Sequence, residues 1–134
     1  MSAITTHVLD TVLGKPGAGI SVRLEKQVGG GWIEAATDSG GGSTAPAERV
    51  QNSPGDWAEV SRSVTDADGR CRDLAKDLHP GVYRLTFDTG AYLLRSGRTS
   101  IYPEISITFM CGGEDHYHLP LLLSDNSYTT YRGS

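Results

Sequence analysis

The chain has few cysteines, no long apolar run and no excess of positive charge, and each absence excludes a class of protein. Its two cysteines, Cys71 and Cys111, form no CxxC pair and have no histidine at zinc-finger spacing. We expect two free, buried thiols, which suit a reducing compartment. No apolar run approaches the roughly 20 residues of a membrane-spanning helix, and no secretory signal is visible at the N-terminus. These absences predict a cytoplasmic protein without a membrane partner.

The charge, composition and length of the chain restrict its expected partners and its number of domains. The net charge is −4 and no basic stripe is present, so nucleic acid is not an expected partner. Apolar residues make up 37% and charged residues 21% of the chain, as in a folded globular protein. A length of 134 residues suits one ordinary domain, and we expect a single domain over residues 1–134.

Apolar and polar residues alternate with a period of two over much of the chain, which is the pattern of half-buried strands. From Ile20 to Leu24, for example, every second residue is apolar. We predict strands at Ile4–Asp10, Gly19–Gln27, Trp32–Ala36, Trp57–Thr65, Val82–Asp88, Glu104–Met110, His116–Ser124 and Ser127–Arg132. The one helix that we predict lies within Asp88–Leu94. Short strands separated by turn residues, without strand–helix alternation, predict an all-β sandwich.

The segment from Thr37 to Asp56 is rich in glycine, serine and proline. A connection of this length without secondary structure is uncommon in a compact domain. We interpret it as a mobile insertion at the tip of a hairpin, and a lid over a site is the alternative.

Two histidines, His116 and His118, are spaced to lie on one face of a predicted strand. Three interpretations are open at this point: solvated surface histidines, a zinc site that needs a third ligand, or acid–base catalysis by groups that titrate near neutral pH. If Asp125–Asn126 forms a hairpin turn, this face can meet Tyr131 on the last strand.

Three further features are weak when each is taken alone. His7 lies in the middle of the first predicted strand, and Arg70 directly follows an Asp-Gly turn. Chain ends usually fray, but here β-prone residues continue almost to Ser134, which would hold Arg132 and the terminal carboxylate in fixed positions.

Taken together and in order, these segments resemble the 5-hydroxyisourate hydrolase family, the enzymatic branch of the transthyretin-like proteins. The matching segments cover nearly the whole chain and are Thr6–Asp10, Thr65–Arg70, Phe87–Tyr92, Tyr102–Glu104, His116–Leu122 and Tyr131–Ser134. The terminal Tyr-Arg-Gly-Ser combined with His-Tyr-His is the most specific part of the resemblance. The insertion at Thr37–Asp56 departs from the family, whose members connect this region with a shorter segment.

The resemblance implies a transthyretin-like sandwich of two four-stranded antiparallel sheets with one short helix. It also implies a homotetramer, built as a dimer of dimers, with active sites in the channel between the dimers. The implied reaction is hydrolysis of 5-hydroxyisourate to 2-oxo-4-hydroxy-4-carboxy-5-ureidoimidazoline in urate catabolism. It requires no metal and no organic cofactor.

The resemblance also assigns site residues. It implies three catalytic residues, which are His7, Arg70 and His118. It implies that the substrate is bound by the terminal residues, which are Tyr131, Arg132, Gly133 and Ser134. His116 has a supporting role. The competing function is a transthyretin-like carrier of a small aromatic ligand, which would need apolar rather than charged channel walls.

Overall fold

Nine strands and one helix make up the described part of the chain, which is residues 1–29 and 55–133 of a computed structural model. In chain order they are β1 (Ser2–Asp10), β2 (Lys15–Pro16), β3 (Ser21–Val28), β4 (Asp56–Val64), β5 (Arg70–Leu78), β6 (Gly81–Phe87), α1 (Thr89–Arg95), β7 (Ile105–Cys111), β8 (His116–Leu123) and β9 (Tyr128–Thr130). Three segments named in the sequence analysis lie outside the described residues: the predicted strand Trp32–Ala36, almost all of the predicted insertion, and Ser134. The described helix is too short and too polar to cross a bilayer.

The strands form two sheets. In the first sheet β1 pairs with β8 on one side, β8 pairs with β9, and the other edge of β1 is shared by β5 and the two-residue β2. The second sheet has the order β4-β3-β6-β7 and is antiparallel throughout. The predicted all-β sandwich with one short helix is confirmed.

One strand pair differs from the expected antiparallel arrangement. β1 and β8 run parallel, from Ala3 opposite His116 to Asp10 opposite Leu123. The residues between the two strands pass through the second sheet, so no tight turn forces them to run in opposite directions. The alternation of apolar and polar residues predicts which side chains of a strand share a face. It does not predict whether a strand distant in sequence pairs in the parallel or the antiparallel direction.

Alternation along the strands separates the core from the outer faces. In β1 every second residue is buried, and Ile4 and Val8 are fully enclosed, so Thr5 and His7 necessarily lie on the opposite, outer face. In the second sheet Leu85 and Phe87 of β6 are fully buried from the other side. Burial of each such side chain stabilises the fold by roughly 1.5–3 kcal/mol.

Strand β5 was not predicted from the sequence. Its buried residues Cys71, Leu74 and Leu78 are spaced by three and four, which does not match the period of two. The pairing of β5 with β1 explains this spacing, because its register shifts twice between Ser2 and Thr6. The missed strand is the one that begins with Arg70.

The two remaining local predictions agree well with the structure. The helix α1 covers Thr89–Arg95, one residue from the predicted bounds, with Asp88 at the N-cap position. Cys71 and Cys111 are both free and buried, as expected.

Candidate active site

Five polar side chains from three strands lie on the outer face of the first sheet. They are Thr5 and His7 of β1, Arg70 of β5, and His116 and His118 of β8. We call them the outer cluster. Strand register brings them together: His7 is opposite Arg70 on one side of β1, and Thr5 is opposite His118 on the other.

Arg70 is positioned by a tight turn at the start of β5. The Asp66 carboxylate accepts hydrogen bonds from the main-chain N–H groups of Asp68 and Arg70, both at 2.9 Å. Gly69 has a φ of +77°, and a Cβ there would lie 2.4 Å from the Val8 carbonyl oxygen. Only glycine fits this close approach to β1, so the turn holds Arg70 beside His7.

The Thr5 hydroxyl joins the two histidines of β8. Its Oγ1 atom lies 2.8 Å from Nε2 of His116 and 2.8 Å from Nδ1 of His118. Sequence analysis missed Thr5. Its spacing of two from His7 could have placed it on the same face, but its contact with His118 depends on the parallel pairing of β1 and β8.

The environment favours the neutral form of the histidines that carry the predicted catalytic roles. Burial lowers the pKa of His118 below its usual 6.5, and the charges of Arg70, His116 and His7 lower it further. Burial and Arg70 also lower the pKa of His7, although the main chain of Asp68 and two nearby carboxylates oppose this. The environment therefore favours a neutral imidazole, with a lone pair on one ring nitrogen, at both positions.

The outer cluster opens onto a polar depression of about 490 Å³. Its lining residues are Thr5, Thr6, Arg70, Cys71, Arg72, His116 and His118. Hydroxyl, imidazole and guanidinium groups dominate this wall. Such a surface suits a small polar molecule with several hydrogen-bonding edges.

The C-terminal tail runs directly beside His118. The Gly133 N–H donates a hydrogen bond of 2.7 Å to the His118 carbonyl oxygen, and the two residues form a bridge that continues the register of the β8–β9 hairpin. A Cβ on Gly133 would lie 2.7 Å from Cδ2 of His118. A glycine at this position therefore lets the tail pack against the imidazole ring.

The other predicted tail residues are not all brought to the outer cluster. The Arg132 guanidinium lies over the Tyr117 ring, 4.7 Å from its centroid, and 3.6 Å from Glu114. Tyr117 points to the opposite face of β8 from His118, so Arg132 is directed away from the histidines. Tyr131 is about half exposed, and Ser134 lies outside the described residues.

The zinc interpretation of His116 and His118 requires a third ligand. Among residues 1–29 and 55–133, no three His, Cys, Asp or Glu side chains are arranged to hold a metal ion. The three histidines share a face, but Arg70 lies among them and its positive charge disfavours a bound cation.

Comparison with known proteins identifies the family of the chain. The model of the HIUase/Transthyretin family matches residues 4–133. Mouse 5-hydroxyisourate hydrolase is 39% identical over 99% of this chain and 96% of its own length. The structure of Klebsiella pneumoniae 5-hydroxyisourate hydrolase is 32% identical with a TM-score of 0.74, and each chain is covered completely. Sea bream transthyretin in complex with thyroxine is 28% identical with a TM-score of 0.76, covering 98% of this chain and 94% of that one. The chain therefore belongs to the HIUase/Transthyretin family.

Proposed function

We propose that this chain is a cofactor-free hydrolase that opens the ring of 5-hydroxyisourate to give 2-oxo-4-hydroxy-4-carboxy-5-ureidoimidazoline. The observation that carries the proposal is that Arg70 and His118, from two strands, line one polar depression, while His7 lies opposite Arg70 on the strand between them. Relatives named 5-hydroxyisourate hydrolase match the chain over its whole length, which supports the same substrate here.

His118 is the proposed general base. Water is a poor nucleophile at neutral pH, so one of its protons must leave as it attacks a ring carbonyl. A half-buried, neutral imidazole can accept that proton, and a positioned acid–base group typically contributes about 10²–10⁴-fold to the rate. His7, on the neighbouring strand β1, assists His118 in this role. Because two adjacent imidazolium ions would repel each other beside Arg70, one histidine stays neutral throughout.

Arg70 is the proposed electrostatic stabiliser. Attack of water on the carbonyl puts negative charge on its oxygen, and the permanently charged guanidinium presents a planar set of donors to that atom. Collapse of the intermediate breaks the adjacent C–N bond, and the proton held by the histidine passes to the leaving nitrogen. The same donors orient the flat substrate ring before the reaction.

The C-terminal tail is the proposed substrate-binding edge. The hydrogen bond from Gly133 holds the tail against β8 at His118, which supports a substrate-binding role for the adjoining Tyr131. The proposal extends this role to Ser134, which lies outside the described residues. In this proposal Arg132 holds the tail through Tyr117 and Glu114 instead of touching the substrate. Deleting residues 131–134 is therefore expected to abolish turnover while the sandwich still folds.

A homotetramer completes the proposed site. The depression is an open sheet face in the isolated chain, and a second copy facing it would exclude water. The outer face also carries the half-buried apolar residues Leu9 and Leu122. Within residues 1–29 and 55–133, β7 and β9 each have one edge without a strand partner, which further copies could occupy. We expect native mass spectrometry to give four times the chain mass of 14.3 kDa. A monomer that retains full activity would contradict this arrangement.

The experiment that tests the function follows the decay of freshly generated 5-hydroxyisourate by ultraviolet absorbance, with and without the protein. A hydrolase accelerates the decay catalytically at protein concentrations far below that of the substrate. The carrier alternative predicts no acceleration and tight binding of an aromatic ligand, for which thyroxine is the probe. The charged wall of the depression argues against that alternative, since a carrier site is mostly apolar.

A further inference from the structure

The hydroxyl group between the two histidines of β8 restricts their protonation. A threonine hydroxyl has one hydrogen to donate and two lone pairs to accept with. Thr5 Oγ1 lies 2.8 Å from a ring nitrogen of each histidine. If Thr5 donates to one ring, the other ring must donate to Thr5. Both rings can also donate to the two lone pairs of Thr5, but its hydrogen then reaches neither ring. Whenever Thr5 donates to one ring, the tautomers of His116 and His118 are coupled, and two arrangements make both hydrogen bonds.

The two arrangements differ in reactivity. In the first, Nδ1–H of His118 donates to Thr5 and Thr5 donates to Nε2 of His116. This leaves Nε2 of His118 with a free lone pair, as a base needs. In the second, Nε2–H of His116 donates to Thr5 and Thr5 donates to Nδ1 of His118. Nε2 of His118 then carries a hydrogen and cannot accept a proton from water.

We propose that His118, Thr5 and His116 form a proton relay, in which Thr5 and His116 set the tautomer of His118 and receive positive charge from it during turnover. The relay rests on the proposed hydrolysis and adds two residues to it. When Nε2 of His118 takes a proton from water, its Nδ1 proton passes to Thr5 as the Thr5 hydroxyl proton passes to Nε2 of His116. The reverse transfer restores the imidazolium of His118, which protonates the leaving nitrogen.

The surroundings of the two histidines explain why the charge would move. His118 is half-buried and is influenced by the charges of Arg70 and His7, and Arg72 also lines the depression. His116 is exposed, so water can solvate a positive charge on it. The rings are 6.3 Å apart between centroids, which is too far for direct proton transfer and requires the hydroxyl bridge.

Three variants separate the relay from simple packing. Thr5→Val keeps the shape but removes the bridge, and we expect kcat to fall about 10- to 100-fold, part of the usual acid–base contribution, with KM little changed. Thr5→Ser keeps the hydroxyl and should restore most of this loss. His116→Gln keeps a hydrogen-bonding group near Thr5 but cannot carry the proton, so its kcat should also fall. Thr86→Val, which removes a hydroxyl bonded to Ser106 in the other sheet, is the matched control.

Nitrogen-15 NMR of the imidazole rings without substrate tests the coupling independently of the proposed reaction. We expect His118 to be protonated at Nδ1 in the wild-type protein and at Nε2 in Thr5→Val. An unchanged tautomer would overturn the coupling even if the protein hydrolyses 5-hydroxyisourate. Wild-type kcat in His116→Gln would overturn the relay and leave the proposed function intact. Absence of turnover by the wild-type protein, with the tautomer change present, would instead reject the proposed function.

Discussion

Strand β1 carries a polar cluster on each face, and the two clusters are built on different principles. Toward the interior, Asp10 is fully buried and contacts Tyr92 and Arg98, and Arg98 also contacts Asp125. We call these four residues the core cluster. Both carboxylate oxygens of Asp10 are occupied: Oδ2 accepts from Tyr92 and Arg98 at 2.7 Å, and Oδ1 accepts from Arg98 and two main-chain N–H groups. In the outer cluster, Nε2 of His118 has no protein partner among the described residues.

The comparison teaches what distinguishes a structural polar cluster from a reactive one. Burial alone would raise the pKa of Asp10, but hydrogen bonds from Arg98 and Tyr92 outweigh it and lower the pKa to about 2. Asp10 thus stays ionised over the physiological pH range. In the outer cluster burial and like charges lower the pKa of His118, so a basic nitrogen is free. Satisfied groups hold the fold together, and unsatisfied ones remain available for chemistry.

The largest expected effect comes from removing the base of the outer cluster. His118→Asn keeps a polar atom near the position of Nδ1, which can still bond Thr5, but it removes Nε2. We expect kcat to fall by about 10²–10⁴-fold. The unfolding midpoint in urea should stay close to that of the wild-type protein. Steady-state kinetics with 5-hydroxyisourate gives the first quantity, and near-normal turnover would remove His118 as the base.

A smaller loss of kcat/KM is expected when the side chain at position 70 keeps its positive charge but loses the planar guanidinium group. Arg70→Lys replaces a planar set of donors by a single ammonium group, and we expect kcat/KM to fall roughly 100-fold, near the low end for loss of one transition-state donor. Arg72→Lys, on the same strand, is the matched control. Unchanged kcat/KM in Arg70→Lys would show that only the net charge of the depression matters, and equal losses in both variants would contradict a specific role for Arg70.

In the core cluster a substitution should change stability and not chemistry. Asp10→Asn leaves Arg98 without its buried carboxylate, and we expect the free energy of unfolding to fall by roughly 3 kcal/mol. Glu59→Gln, which breaks an exposed pair with Arg62, is the control and should leave the unfolding free energy unchanged. Urea denaturation at one fixed protein concentration provides the measurement. A loss no larger than that of the control would contradict the structural role of Asp10.

The two clusters should also differ in their response to acid. The pKa of Asp10 is lower in the folded protein than the usual 3.8 of an aspartate side chain. Its contribution of about 2 kcal/mol is therefore present above pH 3.8 and is lost as the pH falls toward 2. Denaturation measured across this range should show the loss in the wild-type protein and not in Asp10→Asn.

The smallest expected effect is a shift in a histidine titration. Since Arg70 lowers the pKa of His7 and His118, Arg70→Gln should raise both pKa values. The acid limb of kcat/KM, where His118 becomes protonated and stops acting as a base, should lie below pH 6.5 in the wild-type protein and move upward in this variant. NMR titration of the ring protons follows the same change without turnover. A downward shift would contradict the account of the outer cluster.

The sequence predicted more of the fold than of the site. Alternation located most described strands, and the family resemblance and the all-β sandwich are confirmed. The sequence did not reveal β5, because the register shifts of this strand break the period of two. It also did not reveal that β8 runs parallel to β1. For the same reason it missed Thr5, whose contact with His118 exists only across that parallel pair. It also missed the core cluster, because Asp10 and Arg98 are distant in sequence and common in type.

The most direct test of the central claim compares His118→Asn and Asp10→Asn in one 5-hydroxyisourate decay assay, with each rate corrected for the folded fraction. If the outer cluster performs the chemistry and the core cluster only supports the fold, His118→Asn loses at least about 100-fold in kcat/KM. Asp10→Asn then stays within about threefold of the wild-type protein, since substitutions distant from the reacting groups act mainly through stability. Equal losses in the two variants would contradict the division between the two faces of β1.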